Sequence, residues 1–138
     1  VAPEISQYSF ISNTFESYSL NVLYVQYGSI YADYSIGFFQ MKPSFIENME
    51  KHIQQNEMLF KKYSQYLFLK PTSKKSRIVR VERLNSTHWQ IIYLGMFCDI
   101  ISDKFRHVHF SNKEEKLKFY ASAYNSGFKK NENHIIPA

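Results

Sequence analysis

Hydrophobic residues recur three and four positions apart over much of the chain, which is the spacing of one face of an α-helix. This spacing predicts a first helix over 13–27. Asn13 with Glu16 resembles a capping pair at its start, and Gly28 stops it. The pattern breaks over 29–40, where Tyr, Ile and Phe are separated by small residues. We expect a small irregular or β-like lobe there.

Three further helices are predicted downstream, each opened by Ser or Thr with Glu or Gln three positions later. They are predicted over 43–66, 87–105 and 111–127. The middle one is the most apolar and should be the central core helix. The stretch 70–77, rich in small polar residues and Lys, is predicted to be an exposed loop. The stretch 77–83 fits either a brief strand or the start of a helix.

These patterns predict a mainly α-helical fold in one domain over 1–138. A chain of 138 residues, 44% of them hydrophobic, is long enough to bury one core and leaves little room for a second. The tail over 129–138 is polar and is expected to fray. No apolar run approaches the roughly 20 residues that cross a bilayer, so no membrane span is expected.

Charge and aromatic content point towards the partner. Lys and Arg number 17 against 12 Asp and Glu, a net charge of +5, which favours nucleic acid, acidic lipid or an anionic cell-wall polymer. The 11 Tyr and 12 Phe exceed what a minimal core needs. Some of these rings are expected to line a surface or groove, although packing between helices would also use them. Cys98 is the single cysteine and lies in an apolar run, so we expect it to pack as a small residue.

Cofactor chemistry finds no support in the sequence. The five histidines show no metal-site arrangement, although His107 and His109 would share one side of an extended segment. The four glycines do not cluster into a phosphate-binding loop. We therefore expect no metal and no cofactor.

Two short segments carry the strongest functional signal. The first reads S-I-G-F-F-Q-M-K-P over 35–43, and the second reads A-Y-N-S-G over 123–127. In the same order they resemble the G-[LI]-[MF]-Q-[IM]-x-P and A-Y-N-A-G signatures of lytic transglycosylases, and I-Y-L over 92–94 resembles the family's Y-L between them. The departures are Ser126 for Ala, the Phe38-Phe39 pair, and Lys42 before the Pro. The chain thus resembles the lysozyme-like superfamily, closest in pattern to the lytic transglycosylase and goose-type lysozyme group.

The resemblance implies an α+β lysozyme-like fold that cleaves the MurNAc-GlcNAc bond of peptidoglycan glycan strands, in a secreted or periplasmic protein. Nucleic acid is not an expected partner, and the pattern gives no oligomeric state. Gln40 would present its amide to a sugar, and Tyr124 would place its hydroxyl beside the catalytic carboxyl. The plainer readings are a solvated helix-start Gln and a core Tyr before a helix stop. The implied substrate-binding residues are Tyr34, Ser35, Phe38, Phe39, Gln40, Tyr124 and Asn125.

Glycan cleavage requires a carboxylic acid with a raised pKa. The family supplies one glutamate on the N-terminal side of the G-x-x-Q segment, and both Glu4 and Glu16 fit that position. Glu16 is followed by Ser, as in the family, but its capping pair explains it without catalysis. Glu4 has an apolar setting, and the abrupt start of the chain before it would fit a helix truncated upstream.

Asp33 is the candidate second carboxylate of a hydrolase, or else a turn cap. If it is structural, the resemblance implies that the substrate's own hydroxyl attacks and an anhydro-sugar forms. Two rival functions remain open. One is a noncatalytic lysozyme-like module that binds glycan or a protein. The other is nucleic-acid binding through a basic cluster, namely Lys70, Lys74, Lys75, Arg77, Arg80 and Arg83.

Overall fold

A computed structural model describes residues 20–126, and over these residues the protein is mainly helical, as the hydrophobic spacing predicted. The first described helix, α1, covers 20–27, and the start predicted for it at Asn13 lies outside the described residues. Within 20–126 the β-structure consists of one isolated antiparallel bridge, between Ile36 and Met41. The later helices are α2 (Pro43–Gln54), α3 (Glu57–Tyr63), α4 (Lys74–Leu84), α5 (Thr87–Lys104) and α6 (Lys113–Ser126), with a 3₁₀ turn at Ser64–Tyr66.

The chain groups into two compact units. Over the described residues, the first unit comprises 20–47 and 67–90, and the second comprises 48–66 and 91–126. Helices α2 and α5 each begin in the first unit and end in the second. The prediction of one domain over 1–138 stays a prediction.

The first unit has a small apolar core. Tyr24 of α1, Ile46 of α2 and Leu84 of α4 are fully buried there. Two polar side chains are also buried, Arg80 and Gln90, each 1% exposed. Because a buried polar group must find a hydrogen-bond partner, these two side chains shape the unit as much as its apolar residues do.

The second unit is built around α5, whose apolar residues lie on several sides of the helix. Burial on α5 runs from Tyr93 to Ile101, and α6 adds Phe119 and Ala123. Cys98 is half-buried on α5. Burial raises the pKa of its thiol, and the neighbouring Asp99 carboxylate adds to that rise. None of the described helices is both long enough and apolar enough to cross a membrane.

The predicted helix over 43–66 is wrong at its centre, because the chain breaks at Asn56. This residue has φ −123° and ψ 117°, and its side chain accepts a hydrogen bond from Leu59 N. Asn at such a position starts a new helix. Its amide also donates to Asp103 Oδ2 at 2.8 Å, a contact that local sequence does not reveal.

Helix boundaries elsewhere moved by a few residues. The helical alternative for 77–83 is correct, and the exposed loop predicted over 70–77 ends earlier, because Ser73 caps α4 by accepting from Ser76 N. The caps of α5 and α6 lie one residue away from those predicted, at Ser86 and Asn112. The stop at Gly28 is confirmed: it has φ +91°, and its N–H donates to Tyr24 O.

Candidate functional site

Residues 36–41 form a closed turn. Ile36 N donates to Met41 O at 2.9 Å, and Met41 N donates back to Ile36 O at 3.0 Å. Between them, Gly37 (φ +75°) and Gln40 (φ +53°) both adopt the left-handed conformation. That conformation is easy for glycine and uncommon for glutamine, so the surroundings must hold Gln40 in place.

The side-chain amide of Gln90 in α5 holds this turn in place through hydrogen bonds to its backbone. Its Oε1 accepts from Phe39 N at 2.9 Å, while its Nε2 donates to Ile36 O and Leu84 O, each at 2.7 Å. A Cβ at Gly37 would lie 2.1 Å from Gln90 Nε2, so only glycine fits against the amide. Sequence reasoning treated Gln90 as a helix-capping residue and missed this role. The available signal was a polar residue inside an apolar run.

The turn presents several of the predicted substrate-binding residues to solvent. Phe38 is 81% exposed, and both Ser35 and Gln40 are exposed. Phe39 is half-buried and meets Phe38 edge-to-face at a centroid distance of 5.1 Å. The Gln40 amide donates to Gly37 O at 2.8 Å, which stabilises its unusual backbone. The surface therefore combines one open aromatic ring with amide and hydroxyl groups.

Tyr34 lies just before this turn with its hydroxyl buried. Among the described residues that hydroxyl has no hydrogen-bond partner, and the same is true of Asn21 Oδ1 in α1. Burial raises the pKa of Tyr34, so its hydroxyl stays protonated and able to donate. A buried hydroxyl without a partner costs about 1–3 kcal/mol.

Asp33, the candidate second carboxylate, is engaged at the start of α2. Its Oδ1 accepts from Ser44 N at 3.1 Å, and its Oδ2 accepts from Ser44 Oγ at 2.6 Å. The predicted pair of Ser44 capping α2 with Glu47 reaching back is therefore wrong. Asp33 supplies the capping carboxylate, which also suits the positive end of the helix dipole.

Glu47 belongs to a polar network that sequence reasoning missed. It accepts from Tyr24 Oη at 2.9 Å and from Ser29 Oγ at 2.8 Å, and Arg80 Nη1 lies 3.4 Å from its Oε2. Arg80 also donates to Pro71 O at 2.6 Å. Burial raises the pKa of Tyr24, and Arg80 partly opposes that rise. This network connects α1, α2 and α4 within the first unit.

The second motif lies at the end of α6, in the second unit. The Tyr124 ring is half-buried and meets Phe97 edge-to-face at 5.5 Å, and burial raises the pKa of its hydroxyl. Asn125 is exposed. Glu4 and Glu16, the two candidate acids, lie outside the described residues.

The basic cluster is not a continuous charged surface, because its arginines are used internally. Arg77 donates to Val25 O at 2.9 Å and to Thr72 O at 2.6 Å. Arg80 is buried, and the Arg83 guanidinium lies 4.2 Å from the centroid of the Trp89 ring. The lysines of the cluster are exposed, namely Lys70, Lys74 and Lys75. Of the six cations that predict nucleic-acid binding, the structure buries Arg80, half-buries Arg77 and Arg83, and exposes the three lysines.

Within residues 20–126, no group of three His, Cys, Asp or Glu side chains is placed to hold a metal ion. Comparison with known proteins adds no family assignment. The chain matches no family model, no curated protein and no solved structure.

Proposed function

We propose that the protein is a lysozyme-like glycosidase that cleaves peptidoglycan at the MurNAc-GlcNAc bond, with a single glutamate as general acid and base. The observation that carries this proposal is the closed turn over 36–41. Its Gly37 packs against Gln90, its Gln40 is held in a left-handed conformation, and Pro43 opens α2 directly afterwards. Gly37 has a packing reason to be glycine and Pro43 suits the first position of a helix, which supports the G-x-x-Q-x-x-P resemblance.

Substrate recognition is assigned to the exposed side of this turn and to the residues before it. The Phe38 ring offers an apolar face on which a sugar can stack. Ser35 and Gln40 offer hydrogen-bonding groups beside it, and the half-buried Tyr34 is included on the strength of the resemblance. Tyr124 and Asn125 of the second unit are kept as substrate-binding candidates on the strength of the resemblance alone.

The acid itself is assigned to Glu4 or Glu16. Asp33 and Glu47 of the first unit already accept hydrogen bonds from Ser44, Tyr24 and Ser29, which suits structural roles. The glutamate protonates the glycosidic oxygen as the bond to the anomeric carbon breaks. It then takes a proton from the attacking hydroxyl and regains its starting state.

The attacking hydroxyl is assigned to the substrate itself, which gives an anhydro-sugar product. A hydrolase with two carboxylates would need a second acid near the cleft, and Asp33 is held by two hydrogen bonds to Ser44. We place such an enzyme in the cell envelope, secreted or periplasmic, where its substrate is found.

A noncatalytic glycan-binding module is the second candidate. The observation in its favour is that Asp33 and Glu47 are both engaged in hydrogen bonds, so that catalysis depends on Glu4 or Glu16.

The test is digestion of purified peptidoglycan by the wild type and by Glu4→Gln and Glu16→Gln variants, with the released muropeptides identified by mass spectrometry. Glu57→Gln serves as a matched control, since that glutamate is exposed in α3. We expect anhydro-muropeptides from the wild type and the control, and their loss in one of the two variants.

Other outcomes separate the candidates. Products with reducing ends, lost in Asp33→Asn, would establish hydrolysis and bring Asp33 into the chemistry. A folded wild type that releases nothing yet sediments with peptidoglycan would favour the binding module. Neither cleavage nor binding would contradict both.

A further inference from the structure

A pocket of about 230 Å³ lies in the second unit, lined by the end of α5, the connection that follows it and α6. Its apolar lining includes Ile101, Phe105 and Phe119, each no more than 6% exposed. The Phe119 ring lies 5.1 Å from Phe105 and 5.2 Å from Phe110, measured between centroids. Aromatic rings therefore form much of the wall.

The charged groups of this pocket are all cationic. Arg106 and Lys116 contribute to its lining, and both are exposed. The Arg106 side chain is 83% exposed, and its Nη1 lies 4.0 Å from Asp103 Oδ1, a weak contact at the edge of ion-pair range. The described residues that line the pocket include no Asp or Glu. An apolar interior beside two cations favours a ligand that has an apolar part and an anionic group.

We propose that this pocket binds a small aromatic anion, meaning a compact ring system that carries one carboxylate or sulfonate. The ring occupies the space beside Phe105, Phe110 and Phe119, where edge-to-face contacts between rings are favourable. The anionic group lies at Arg106 and Lys116 and forms charge-assisted hydrogen bonds with them. This site is independent of the proposed glycan site and of its chemistry.

The volume of the pocket suits a ligand of one or two rings. A cavity of about 150 Å³ accommodates benzene, whereas drug-sized ligands occupy pockets of about 300–1,000 Å³. A pocket of about 230 Å³ lies between these limits. A two-ring acid such as naphthoate fits this range.

The experiment is a titration of the isotope-labelled full chain with naphthoate, followed by amide chemical shifts in NMR spectra. The neutral analogue naphthamide has the same ring system without the charge. We expect saturable shifts at Phe110, Lys116 and Tyr120 with naphthoate, and clearly weaker binding of naphthamide. Equal binding of the two, or shifts centred elsewhere, would overturn the proposal.

Two variants test the cationic rim without disturbing the core. Lys116→Gln removes a cation that lines the pocket, whereas Lys113→Gln removes an exposed cation on the same helix that does not. We expect Lys116→Gln to weaken naphthoate binding about two- to fivefold, the range of one exposed ion pair, and Lys113→Gln to leave it unchanged. Equal weakening in both variants would show a nonspecific charge effect and refute the site. Melting curves of both proteins verify that they fold.

Discussion

The described glycines distinguish two reasons for which a position requires glycine. Gly28 has φ +91° with open space where a Cβ would lie. Gly37 has φ +75° and in addition lies against the Gln90 amide. Gly95 is inside helix α5 with no atom close to its Cβ position. Gly28 is therefore required by its backbone conformation alone, and Gly37 by its conformation and by close packing. Gly95 is required by neither.

Replacing each glycine by alanine should give three different results. Gly28→Ala should destabilise by about 1–2 kcal/mol, the cost of a left-handed residue with a side chain. Gly37→Ala should cost clearly more, because Gln90 must also give up its hydrogen bonds to make room. Gly95→Ala should stabilise by about 0.5–1 kcal/mol. Urea unfolding curves measure all three, and equal losses at Gly28 and Gly37 would contradict the close packing against Gln90.

At this scale, sequence reasoning identified the surface residues of the turn better than the residues that support it. The exposed positions of Ser35, Phe38 and Gln40 are those expected of binding residues. Gln90 and Arg80 were assigned other roles because their partners lie far away in the chain. A hydrogen bond between residues 39 and 90 leaves no trace in local hydrophobic spacing.

Among the helices, α3 and α5 are joined by a polar contact that should make stability depend on pH. Asp99 of α5 accepts hydrogen bonds from Tyr63 and from Lys62, the latter at 2.7 Å. Burial alone would raise the pKa of Asp99, but these two hydrogen bonds outweigh it and lower the pKa below its ordinary value. A lowered carboxyl pKa stabilises the fold above the unfolded-state pKa, and this contribution is lost as the pH falls through the folded-state value.

Asp99→Asn should therefore be less stable than the wild type at neutral pH, by about 1 kcal/mol, a modest value because Lys62 is largely exposed. The difference should shrink below a pH of about 4. Urea unfolding at several pH values measures it. Glu82→Gln, at an exposed position of α4, is the control and should change stability much less. A difference for Asp99→Asn that persists in acid would show that it comes from hydrogen bonding of the neutral side chain rather than from charge.

Hydrophobic spacing predicts α2, α5 and α6, but it joins α3 to α2 and leaves 77–83 open between a strand and a helix. Helix α5 could be predicted because the apolar residues that bury it recur at helical spacing within its own sequence. The break before α3 did not, because Asn56 gains from capping Leu59 N and from a contact with Asp103 that is distant in sequence. A capping residue such as Asn56, which also bonds to a residue distant in sequence, cannot be predicted from the hydrophobic spacing of a single helix.

For the whole molecule, the net charge of +5 does not show which cations are accessible to a partner. The arginines over 77–83 are engaged within the first unit, whereas Lys74 and Lys75 are exposed. Solvent-exposed lysines attract an anionic polymer at long range and are screened by salt. The predicted attraction to an anionic wall therefore depends mainly on exposed cations other than the 77–83 arginines, Lys74 and Lys75 among them.

A Lys74→Gln/Lys75→Gln double variant should bind purified peptidoglycan several-fold more weakly than the wild type at about 0.05 M salt, and equally at about 0.5 M. Co-sedimentation with peptidoglycan measures this. A Lys51→Gln/Lys61→Gln double variant has the same net charge at other exposed positions. If it weakens binding equally, net charge matters and the local pair does not.

Gln90 touches three backbone positions with one amide group, and Gly37 leaves room for it. The two residues are far apart in the chain, but the Gln90 amide fills the space that a side chain at position 37 would need. A substitution at one position therefore constrains the other. Among related sequences, positions 37 and 90 should change together. Wherever position 37 is not glycine, position 90 should carry a side chain smaller than glutamine. The turn and the start of α5 would then be inherited as a single unit.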